Sequence, residues 1–302
     1  MTDASKTGRT ECVKEQDGRR DGHGIASCGL CGLAAVQVKS TTLGQMGTGL
    51  GQMGTGAWQG LQQTGRAIAE FLLPPVCLAC GAALDGHNSL CGSCWQRVNF
   101  ICNPLCDRTG LPLPYNSGGT MISAEALRHP PVYDRARAVA HYDGVMSELI
   151  RSFKYADRHD LRHLFARWLI AAAGPLLPAT DFLVPVPLNR LKLLARRFNQ
   201  SALLGQDLAR SAELPFEPLA LARIRRTEPQ VGKTPDQRRR NVAGAFAPGP
   251  GWNKRLVGKN VLLVDDVITT GATINACAKA LKRAGARRVD VVALAKTTGA
   301  PM

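Results

Sequence analysis

The stretch "VLLVDDVITTGATINACAKALKRAG", Val261–Gly285, decides the fold. It opens with a continuous run of Val and Leu, which reads as a strand buried on both faces, the pattern of a parallel sheet covered by helices. The strand delivers Asp265 and Asp266 to its carboxyl end, the edge at which α/β sheets bind ligands. Adjacent carboxylates there can accept hydrogen bonds from vicinal hydroxyls and help position hydrated Mg²⁺. The loop that follows, Thr269-Thr270-Gly271-Ala272-Thr273, opens a helix. The first amides of a helix have no intrahelical partner, and its dipole favours an anion. Gly271 permits close backbone approach and the threonine hydroxyls add donors. The acids are read as holding a sugar and the loop as holding its phosphate.

Working outward, strands and helices alternate. "RARAVAHYD" reads as a strand, and the stretch from Val145 to Ala173 carries apolar residues at Leu149, Ile150, Phe153, Leu161, Leu164, Phe165, Trp168 and Leu169, an amphipathic helical period. "DFLVPVP" is a buried strand ended by prolines, "RFNQSALLGQDLARSA" a helix, "KNVLLVDD" a strand, "ATINACAKALKRAGA" a helix closed by Gly285, and "RRVDVVALA" a strand. The expected fold is α/β with a parallel sheet, one domain over residues 132–298.

Ahead of it, Cys77, Cys80, Cys91 and Cys94 fall as C-x2-C-x10-C-x2-C. Two such knuckles complete a tetrahedral site of four sulfurs, the preferred geometry of structural zinc, so one Zn²⁺ and a ribbon over 71–115 are expected. A redox dithiol is the weaker alternative, because two paired motifs sit at ribbon distance. The segment also resembles itself. "CLACGAAL" at Cys77–Leu84 is similar to "CDRTGLPL" at Cys106–Leu113, and "CGSC" at Cys91–Cys94 to "SAEA" at Ser123–Ala126. Thr109, Ser123 and Ala126 then stand where ligands are needed, so a second ribbon, reaching to about residue 127, reads as degenerate.

Residues 1–70 contain "LGQMGTG" twice in tandem, Leu43–Gly49 and Leu50–Gly56, and read as a disordered extension, since such composition buries too little surface to offset chain entropy. The pair Cys28–Cys31 has no second pair at ribbon spacing. No stretch approaches the ~18 apolar residues of a membrane span, and no secretory segment is expected, so a cytoplasmic protein is the default. The formal net charge is +15, and residues 190–240 hold twelve Lys/Arg against five Asp/Glu. That excess points to an anionic partner, a nucleic acid or a phosphorylated small molecule, or simply to a solvated face.

Two nucleotide-binding motifs are excluded. "VGKT" at Val231–Thr234 would need glycine at position 227 to be a Walker A loop, and Thr227 stands there; no G-x-G-x-x-G follows the first strand. Instead, "VLLVDDVITTGAT" resembles the phosphoribosyl-pyrophosphate signature of type I phosphoribosyltransferases. "PVPLNRLKLLARRFNQSALLG", "RIRRTEPQVGKTPDQRRRNVAGAF" and the cysteine ribbon extend the resemblance to the ComF family, double zinc ribbon proteins with a phosphoribosyltransferase domain, over about residues 71–297.

The resemblance implies that Asp265 and Asp266 bind the ribose hydroxyls and that Thr269, Thr270, Gly271, Ala272 and Thr273 cradle the 5′-phosphate. It makes the turn of Pro187, Leu188 and Arg190 the pyrophosphate loop, and Arg226–Asn241 a closing hood with Arg226, Gln230 and Arg238 as contacts. Mg²⁺ would accompany the donor. Lys154 and Tyr155 in "FKYADR" match the family pattern and read equally as a plain helix face. Two functions follow: a phosphoribosyltransferase with an unassigned acceptor, or a non-catalytic module of natural competence that meets single-stranded DNA or competence proteins. Little aromatic interleaving in the basic stretch weakens base stacking as its role.

Overall fold

The computed structural model describes residues 74–116, 118–155, 158, 160–188, 198–225, 227 and 234–297. The expectations for residues 1–70, and for Arg190, Arg226 and Gln230, lie outside the described residues.

Two short helices, α1 (Gly92–Gln96) and α2 (Ala124–Arg128), belong to the cysteine-rich region. The chain then runs β1 (Ala136–His141), α3 (Gly144–Tyr155), α4 (Leu161–Ala173), β2 (Phe182–Pro185), α5 (Gln200–Ala212), β3 (Leu221–Arg223), α6 (Pro235–Val242), β4 (Phe246–Pro248), α7 (Trp252–Arg255), β5 (Asn260–Ile268), α8 (Ala272–Arg283) and β6 (Arg288–Lys296). Strands β1-β6-β5-β2 form an all-parallel sheet. β5 and β6 are the central strands, and each carries a continuous buried apolar run, Val261–Val264 and Val291–Ala295, because helices cover both their faces.

Alternation along β5 sets the two cores. Leu262 and Val264 join Leu149, Phe153, Phe165 and Leu204 beneath α3, α4 and α5. Val261 and Leu263 join Ile274, Cys277, Leu281 and Trp252 beneath α8 and α7. The helical period over Val145–Ala173 is split into α3 and α4. The break falls in the polar run that carries Arg158 and Asp160, which pair at 2.7 Å.

The cysteine-rich region covers the free edge of β1. Phe100 bridges Ala140 in antiparallel fashion, Ile101 N–H donates to Val139 O at 2.9 Å, and His141 N–H donates to Asn99 O at 2.8 Å. Trp95 and Phe100 pack edge-to-face against Trp168 of α4, with ring centroids 5.9 and 5.3 Å from it. Capping an exposed strand edge removes a row of unpaired amides and carbonyls. The segment beyond α5 contains a small antiparallel pair, β3 with β4, and α6 between them. Arg225 staples its base by donating to Asn241 O at 2.9 Å and Ala243 O at 2.7 Å.

Candidate functional site

β5 runs two residues past its acid pair, to Ile268, and hands the chain to α8 through Thr269-Thr270-Gly271. Gly271 is the N-cap of α8 at φ 71°, ψ 0°, a left-handed conformation that glycine adopts without the Cβ penalty. No side chain caps the helix. The hydroxyl of Thr270 is buried and makes no hydrogen bond. An uncapped helix start with an orphan buried hydroxyl fits a phosphate group, whose oxygens would accept from both. Thr269 is exposed, Ala272 buried and Thr273 half-buried, so the turn presents a mixed surface.

The two acids differ. Asp266 pairs with Lys154 Nζ at 2.9 Å, both side chains being largely buried (14% and 15% exposed). Asp265 accepts from Ser201 Oγ at 3.0 Å and from the Asp266 amide at 2.9 Å. Burial, and then the neighbouring Asp266 charge, push the Asp265 carboxyl up to about 7; the Asp266 amide, Lys154 and Ser201 pull the other way. Such a group is poised to change charge near neutrality.

Three elements therefore meet at this edge: the end of α3 through Lys154, the start of α5 through Ser201, and β5. Asn199 caps α5 by accepting from Ser201 N–H at 3.1 Å, and its amide group reaches Val186 O at 3.1 Å, which fixes α5 against the end of β2. Pro187 and Leu188 follow β2 half-buried. Arg238 lies on α6 with its Nε buried and unpartnered.

Ser201 is a participant that sequence reading missed. Arg223 lies over Phe246 at 5.4 Å from the ring centroid, donates to Thr227 Oγ1 and makes no ion pair among the described residues. Its strand is three residues long, too short to show a period.

In the cysteine knuckle, the sulfurs of Cys77, Cys80, Cys91 and Cys94 all lie within 4.8 Å of one another. Cys80 and Cys91 sulfurs are 3.7 Å apart, close to the ~3.8 Å edge of a tetrahedron with Zn–S bonds of about 2.3 Å. The Ser93 hydroxyl, and after it the Cys94 amide, draw the Cys91 thiol down to about 6, whereas burial and the neighbouring thiols push Cys94 up to about 12; a bound metal needs both as thiolates. The donor set fits a closed structural zinc site.

Comparison with known proteins agrees with this geometry. Residues 68–125 match the double zinc ribbon domain and residues 199–300 the phosphoribosyl transferase domain. The chain is 30% identical over 226 residues to "Competence protein F" of Haemophilus influenzae, covering 73% of this chain and 96% of that protein. It is 32% identical over 233 residues to "DNA utilization protein YhgH" of Escherichia coli, covering 74% and 98%. "Competence protein ComFC" of Bacillus subtilis is 25% identical over 205 residues, covering 67% and 81%. Fold and site thus define a zinc-ribbon protein with a phosphoribosyltransferase-type domain. Within that class the chain belongs to the ComF family. No helix among the described residues is long and apolar enough to cross a membrane.

Proposed function

We propose that this protein binds phosphoribosyl pyrophosphate at the β5–α8 corner and serves the uptake or use of DNA from the cytoplasmic side. The observation that carries the reading is the acid pair placed directly before an uncapped helix start whose Thr270 hydroxyl is buried without a partner. Asp265 and Asp266 would accept hydrogen bonds from the ribose hydroxyls, with Lys154 released from Asp266 or retained as its countercharge. Thr269 through Thr273 would hold the 5′-phosphate. Pro187, Leu188 and Arg190 would face the pyrophosphate, and Arg226 and Arg238 would close over it. Mg²⁺ would arrive with the donor's phosphates and neutralise part of their charge, and Asp265 or Asp266 would help hold its water shell.

Pentosyl transfer is the reaction such a donor supports. The sugar–pyrophosphate bond breaks, the acceptor forms a bond to the same carbon, and arginines stabilise the departing anion while a closed hood excludes water. Titration calorimetry tests the binding: heat with phosphoribosyl pyrophosphate, and none with the Asp265→Asn/Asp266→Asn variant. Equal heats for both proteins would discard it. Pyrophosphate release with a panel of nucleobases then tests catalysis.

A second reading, a non-catalytic module that contacts DNA, is favoured by the names of the relatives and by the basic excess over residues 190–240. Filter binding across a salt series separates the two, since phosphate contacts impose a steep salt slope and their absence a flat one.

A further inference from the structure

The second ribbon repeats the first bond for bond. Cys77 N–H donates to Ala82 O at 2.7 Å, and Cys106 N–H to Leu111 O at 2.8 Å. Gly81 N–H donates to Cys77 O at 2.9 Å, and Gly110 N–H to Cys106 O at 2.7 Å. Cys91 N–H points at Cys77 Sγ (3.3 Å) as Ser123 N–H points at Cys106 Sγ (3.2 Å). α2 follows Ser123 as α1 follows Cys91. The four ligand positions of the second knuckle are therefore Cys106, Thr109, Ser123 and Ala126. One sulfur among them does not make a zinc site, so the second metal that a double ribbon implies does not fit these residues.

A different cation reaches the same place. Lys296, the last residue of β6, is 3% exposed, and its Nζ donates to Thr109 O at 2.6 Å. It makes no ion pair among the described residues. Cys106 is fully buried and Thr109 is 2% exposed. Burial depresses the lysine to about 8, opposed by Cys106. Burial raises the Cys106 thiol, but hydrogen bonds from Ser123 and Thr109 outweigh it and bring the thiol to about 7. The Tyr133 hydroxyl, buried and without a partner, also senses the Cys106 charge.

Packing explains why a lysine suits this knuckle better than zinc. The first knuckle leaves Cys80 exposed, whereas the second is wedged against β1: a Cβ on Gly110 would lie 2.4 Å from Ala136 O. Lys296 instead donates to a backbone oxygen of the second knuckle itself. We propose that Lys296 supplies, from the sheet, the cation that the second knuckle no longer takes from solution, and so fixes the ribbon to the sheet edge. That edge carries the proposed site: Lys296 is in register with Ile268, and Thr297 N–H donates to Ile268 O at 3.0 Å, one residue before the proposed phosphate loop.

The test combines zinc analysis with thermal unfolding, and neither readout depends on ligand binding. Wild type is expected to hold one zinc per chain, and Thr109→Cys/Ser123→Cys/Ala126→Cys to hold two. Lys296→Met should lower the unfolding midpoint of wild type by about 5 °C or more, and lower that of the zinc-loaded triple variant by less than half as much. If Lys296→Met does not fold in the wild-type background, recovery of folded protein in the triple-cysteine background with zinc supports the proposal. Two zincs in wild type, no second zinc in the triple variant, equal losses in both backgrounds, or failure to fold in both, overturns it.

Discussion

Replacing Asp265 with asparagine is expected to stabilise the fold while removing ligand binding. The carboxyl, ordinarily at 3.8, stands at about 7 because burial and the Asp266 charge oppose its ionisation. A raised acid holds its proton more tightly when folded, so its stabilising contribution is complete below pH 3.8 and is lost as pH rises to about 7. At about 1.4 kcal/mol per pH unit the full loss is about 4 kcal/mol, a ceiling because the residue keeps some accessible surface; about 2–4 kcal/mol is expected. Asparagine retains an oxygen to accept from Ser201, so the charge goes and the hydrogen bond stays. Urea unfolding of both proteins from about pH 5 to about pH 8, zinc present throughout, measures the difference; protonation of the zinc thiolates is common to both and cancels. The advantage of the variant should grow with pH. Parallel profiles, or a variant less stable at the alkaline end, would refute the reasoning.

Other expectations follow from the same geometry. Lys154→Met should destabilise the protein by about 3 kcal/mol in chemical denaturation, because it leaves the largely buried Asp266 carboxylate unpaired. Gly271→Ala should cost about 1 kcal/mol for its left-handed backbone and weaken phosphoribosyl pyrophosphate binding in calorimetry far more than that. Cys91→Ser should abolish zinc retention by elemental analysis and lower the unfolding midpoint, as chelation should for wild type. The matched glycines of the two ribbons should part company. Gly81→Ala should cost about 1 kcal/mol, for its left-handed backbone alone, and Gly110→Ala about 3 kcal/mol, because its Cβ would strike Ala136 O.

The sheet was legible because buried parallel strands are written as unbroken apolar runs, and β2, β5 and β6 all carry one. The C-x2-C pairs were legible because ligand spacing is local, and so was the degenerate repeat. β3 and β4 were not, since three residues carry no period and their pairing spans Leu221 to Pro248. The start of α6 has a local signal that went unread: Thr234 and Gln237 form a capping box within the stretch that the family resemblance makes a closing hood. Of the candidate site, the acids and the loop lie in one segment, which is why one segment sufficed to find them. Lys154 and Ser201 reach that segment only through the fold. Lys154 could be matched to a family pattern, but nothing local distinguished it from an ordinary helix face.

The most direct test of the central claim is a crystal structure of the protein grown with phosphoribosyl pyrophosphate and Mg²⁺. The account predicts the 5′-phosphate seated on the amides from Thr269 to Thr273, with the ribose hydroxyls on Asp265 and Asp266. A loop left empty at saturating ligand, or a ligand bound elsewhere on the chain, would contradict it.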